Sequence, residues 1–80
     1  MRGRKMAEAT FGERLRAVRQ KKGITKTDLA EACGLSRKTI FFWEKGLKKP
    51  RNYYRTAELL SLVLHVPIDY WFDEPVPKSL

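Results

Sequence analysis

The chain has 80 residues, 42% of them hydrophobic, with 17 Lys and Arg against 9 Asp and Glu and a net charge of +8. That length bounds it to one domain with a small core, and one Cys and one His exclude an internal disulfide and a Cys/His zinc site. No apolar run approaches the ~20 residues of a membrane span; the excess of +8 makes a polyanion (DNA, RNA or an anionic membrane surface) the leading partner class, and the cysteine usage fits a reducing, cytoplasmic setting.

Residues 1–9 are basic at Arg2, Arg4 and Lys5 but lack an apolar stretch behind them. They do not read as a signal peptide. They are expected to be a flexible arm that follows DNA, or an extension without a role. Thr10 and Glu13 form a capping box, and Phe11, Leu15 and Val18 then fall on one helical face. Gly23 stops this helix behind the basic turn Lys21-Lys22. Thr25 caps a second helix that turns Leu29, Ala30 and Cys33 inward and ends at Gly34. Cys33 reads as a small core residue rather than a reactive thiol.

Ser36 caps a third helix, 37–45, which Gly46 ends. The turn Gly34-Leu35-Ser36 is so short that helices two and three must cross steeply, as in a helix-turn-helix at about 26–45. At about 3.6 residues per turn, Ile40 and Trp43 share the inner face of helix three. Arg37, Lys38, Phe41 and Phe42 lie on the outer one. Two phenylalanines beside two cations are odd on a surface facing water alone, so the pair should meet a partner.

A polar loop, Leu47 to Asn52, leads to a fourth helix from about Tyr53 to Leu64. Pro67 then opens a fifth short helix, Ile68 to about Phe72. Residues 73–80 contain two prolines and no periodicity, and are expected to be extended or disordered. Charge divides along the same line. Residues 1–55 hold 16 Lys and Arg against 5 Asp and Glu, a net +11. Residues 56–80 hold one Lys against 4 Asp and Glu, a net −3.

The segments Arg14-Leu-Arg, Lys22-Gly-Ile-Thr-Lys-Thr-Asp-Leu-Ala, Gly34-Leu-Ser-Arg, Thr39-Ile, Trp43-Glu-Lys-Gly46, Pro50 and Val66-Pro-Ile-Asp-Tyr resemble the phage-repressor/Cro-like, XRE-type helix-turn-helix family. The resemblance covers about residues 10–72. It implies an all-α, compact five-helix bundle of the lambda-repressor-like type. It also implies sequence-specific binding of double-stranded DNA by a dimeric transcriptional regulator such as a repressor, with helix three in the major groove. The alternative is an antitoxin or co-regulator whose main partner is another protein.

Carried over by position, the resemblance assigns base contacts to Arg37, Lys38, Phe41 and Phe42. Arg or Lys suits guanine, and Phe42, at a usually polar position, suits a thymine methyl. Phosphate contacts are implied for Lys26, Thr27, Thr39, Lys48, Lys49, Arg51 and Arg55. Arg19 and Glu44 occupy the places of a partly buried ion pair that ties helix one to helix three.

This chain departs from the family pattern in helix four, where Leu59, Leu60, Leu62, Val63 and Leu64 leave only Ser61 polar. One buried face needs fewer. A dimer interface of Leu59, Leu62, Val63, Tyr70, Trp71 and Phe72 is therefore expected, the alternative being packing under Pro75-Val-Pro77. The loop before helix four looks about two residues longer than usual for the family. His65 replaces the usual glycine at the end of helix four, where a left-handed residue is needed. No carboxylate pair, nucleophile–base set or phosphate-cradling glycine loop suggests an enzyme, and no cofactor is expected.

Overall fold

The structure is a computed structural model that describes residues 10–72. The arm at 1–9 and the tail at 73–80 lie outside the described residues. Four α-helices succeed one another in chain order: α1 (Phe11–Lys21), α2 (Lys26–Cys33), α3 (Arg37–Lys45) and α4 (Tyr53–Leu64). Among the described residues there is no strand, and no helix is long and apolar enough to cross a membrane.

The helix ends are written in local chemistry. The Thr10 hydroxyl accepts from the Glu13 backbone N–H at 3.2 Å, while the Thr10 N–H donates to the Glu13 carboxylate at 2.9 Å. Thr25, Ser36 and Asn52 cap α2, α3 and α4 in the same way, each accepting from the N–H three residues on. Gly34 adopts φ +72° at the end of α2. This lets the Leu35 N–H turn back to the Ala30 carbonyl at 2.8 Å and ends the helix within one residue.

The fifth element differs from expectation. It is one 3₁₀ turn, Ile68–Trp71, not an α-helix. Four residues cannot set up a ladder of i to i+4 bonds, and the Tyr70 N–H instead reaches the Pro67 carbonyl at 3.0 Å.

The core is formed by Leu15 and Val18 of α1, Leu29 and Ala30 of α2, Ile40 and Trp43 of α3, Ala57, Leu60 and Leu64 of α4, and Trp71. Helix α3 packs on both α1 and α2, while the 3₁₀ turn covers α1 and α4. Side chains stitch that turn down. The Trp71 indole N–H donates to Ser61 Oγ at 2.9 Å, and the Tyr53 hydroxyl donates to the Trp71 carbonyl at 2.6 Å. The Tyr70 hydroxyl donates to the Arg14 carbonyl at 2.6 Å, and Arg14 Nη1 returns a bond to the Tyr70 carbonyl at 3.2 Å.

This arrangement corrects one expected interface residue. Trp71 is 1% exposed and belongs to the core of its own chain, because Ser61 and Tyr53 satisfy its polar groups there. Tyr70, Phe72 and Val63 are half-buried against the same core, and Leu59 is half-buried. Of the six expected interface residues, Leu62 stands out, at 76% exposed.

Candidate nucleic-acid interface

The turn of the helix-turn-helix fixes where α3 points. Gly34 reverses the chain, half-buried Leu35 packs against the core, and the Ser36 hydroxyl caps the next helix at the Thr39 N–H, 3.1 Å away. Ile40 and Trp43 then seat α3 inward, at 0% and 8% exposure. Arg37 and Lys38 are left exposed at its first turn. Thr39 is half-buried, its hydroxyl 3.0 Å from that of Ser36.

A buried ion pair holds the helix at its other end. Arg19 Nε donates to Glu44 Oε2 at 2.6 Å, and Arg19 Nη2 to Glu44 Oε1 at 3.1 Å. Arg19 Nη1 also reaches the Ile24 carbonyl at 2.8 Å. The two side chains are 9% and 4% exposed. Two parallel N–H to oxygen bonds constrain angle as well as distance, so the pair sets the orientation of α3 against α1. The same contact is close at the backbone. A Cβ on Gly12 would overlap the Trp43 carbonyl oxygen and lie 2.9 Å from that of Glu44. Glycine is thus required in the first turn of α1, where that helix lies on α3.

Of the residues expected to meet phosphates, Lys26 and Thr27 lie in α2 and Lys48, Lys49, Arg51 and Arg55 follow α3 in the chain. Lys26 is half-buried at the start of α2, and Thr27 is exposed beside it. Lys48, Lys49, Arg51 and Arg55 are all exposed in the loop and at the start of α4. The structure adds Arg16 and Lys45, which the sequence did not single out. They line a cleft of about 80 Å³ with Lys26, Phe41 and Glu44. Lys45 lies one turn beyond Phe41, which was the available sign.

Phe41 and Phe42 are both half-buried, less open than the helical layout alone implied. Their rings lie 5.7 Å apart at 55°. Lys45 Nζ stands 5.8 Å over the Phe41 ring, and Lys48 Nζ stands 5.4 Å over that of Phe42. Leu47, 66% exposed, comes next at the end of the helix, where its N–H bonds the Phe42 carbonyl at 2.9 Å.

Burial acts on two titratable groups packed against the core. Burial pushes the Cys33 thiol up, away from a reactive thiolate. Burial also raises the Tyr70 phenol, against a smaller opposing effect of Arg14, so the hydroxyl stays a donor. Among the described residues no cluster of three His, Cys, Asp or Glu side chains could hold a metal ion.

Comparison with known proteins matches a family described as helix-turn-helix to residues 15–71. A protein of Pyrococcus furiosus, whose name calls it an HTH-type transcriptional regulatory protein, is 36% identical over 69 residues. That match covers 86% of this chain and 19% of the relative. A protein of Pyrococcus horikoshii with the same kind of name is 32% identical over 69 residues, with the same coverage. The chain therefore spans about a fifth of the length of the curated relatives it matches.

Proposed function

This chain belongs to the helix-turn-helix family, and from that premise we propose that it binds double-stranded DNA in a sequence-specific way and serves transcriptional regulation. One observation carries the proposal. The outer side of α3 presents Arg37 and Lys38 to solvent, and further exposed cations flank that helix on its C-terminal side. Such an array matches the division of labour at a duplex, in which clustered cations track phosphates while one helix reaches base edges.

In this proposal α3 enters the major groove. Arg37 and Lys38 meet base edges, where guanine offers two acceptors. Lys26, Thr27, Thr39, Lys48, Lys49, Arg51 and Arg55 position the protein on phosphates. Arg19 and Glu44 keep α3 at its docking angle without touching DNA. Selection of bound duplexes from a random pool is the test. A consensus shared by independent selections supports the proposal, and a pool that never enriches contradicts it.

We also propose that the chain pairs with a second copy through α4. Leu62 is 76% exposed, and half-buried Leu59 and Val63 are its neighbours on that helix. A two-fold pair would place two α3 helices on half-sites about one helical turn apart. Analytical ultracentrifugation at tens of micromolar should show a dimer that Leu62→Asp converts to monomer. A clean monomer for the unaltered chain contradicts the pairing.

A further inference from the structure

Nine aromatic residues occur in the chain, and most of them serve its interior. Trp43 and Trp71 are buried, Phe11, Tyr53, Tyr70 and Phe72 pack against the core, and Tyr54 lies 5.9 Å from the Phe72 ring. Phe41 and Phe42 do not join that cluster. They lean on each other and lie beneath Lys45 and Lys48, on the helix that also presents Arg37 and Lys38. Ile40 and Trp43 already supply that helix's share of the core. The fold therefore has no interior use for these two rings.

We propose that Phe42, walled by Phe41, reads the 5-methyl group of a pyrimidine in the major groove. This rests on the DNA-binding function proposed above and names the chemical feature that it selects. A methyl at pyrimidine C5 is the apolar group the major groove offers to a side chain. The lysines explain which part of each ring is available. A cation over the negative ring face leaves the positive, apolar edge for contact. Two rings at 55° give a methyl group two walls rather than one. Lys45 and Lys48, standing over the rings, are free to turn toward phosphates as the duplex approaches. Thymine and 5-methylcytosine carry the same methyl, so both satisfy the site, whereas uracil and cytosine do not.

The test uses the unaltered protein and a duplex recovered by selection from a random pool. Each thymine is replaced in turn by uracil, which deletes one methyl group and nothing else. Binding should weaken about 4- to 10-fold at one or two positions per half-site, the effect of one buried methyl. At those positions 5-methylcytosine, paired with guanine, should bind better than cytosine by a similar factor. Phe42→Gln should bind thymine and uracil duplexes alike, with circular dichroism confirming its helix content. A consensus whose thymines can all become uracil without loss overturns this proposal and leaves sequence-specific binding standing. A pool that yields no consensus overturns both.

Discussion

Glu44 decides how α3 lies on α1. Its carboxylate takes two bonds from Arg19, and its side chain is only 4% exposed. Removing one partner of such a pair strands a buried charge, which costs more than the pair itself contributes. Glu44→Ala is therefore expected to lower the unfolding free energy by about 3 kcal/mol in urea melts, while Glu44→Leu combined with Arg19→Met should cost much less. His65 makes the opposite prediction. It holds φ +60° at the end of α4, a conformation that costs a side chain about 1 kcal/mol and glycine almost nothing. His65→Gly should raise stability by up to about 1 kcal/mol in the same measurement. All three residues were legible through the resemblance, Arg19 and Glu44 as the places of an ion pair and His65 at that of the usual glycine. The burial of Trp71 was not. Whether an aromatic near the chain's end faces a partner or its own core depends on where Ser61 and Tyr53 lie in space, and no local pattern states that.

At the scale of elements, caps and stops were the readable part. Thr10, Thr25 and Ser36 start helices, and Gly34 and Gly46 end them, because these are bonds to residues three or four positions away. Close approach between helices is different. Gly12 looks like a flaw in α1 until α3 is laid across it, with the Trp43 and Glu44 carbonyls where a Cβ would sit. The obstacle is backbone, not the tip of a side chain, so a methyl group must push the two helices apart. Gly12→Ala is expected to cost about 1–3 kcal/mol in thermal or urea unfolding, despite alanine's better helix propensity. A stabilised variant would show that α1 and α3 do not lie this close. The 3₁₀ turn was misjudged for a related reason. Pro67 announces a helical start, and the expected span, 68 to about 72, nearly matches, but whether so short a helix takes α or 3₁₀ bonds is not written in the local pattern.

Over the whole molecule, the net +8 resolves into +11 across residues 1–55 and −3 beyond them. The basic part contains the helix-turn-helix and its loop. If Lys26, Lys48, Lys49, Arg51 and Arg55 each neutralise one phosphate, the logarithm of the binding constant should fall with the logarithm of salt at a slope of about −4 to −5 per half-site. That slope reports phosphates alone and says nothing of bases. Base reading by α3 is a separate property, and it rests first on Arg37, exposed at the first turn of that helix. Arg37→Ala should be titrated at one salt concentration against a selected duplex and a scrambled one. A loss of about 5- to 150-fold is expected on the selected duplex, equivalent to 1–3 kcal/mol, and a far smaller loss on the scrambled one. Equal losses on both would contradict base reading.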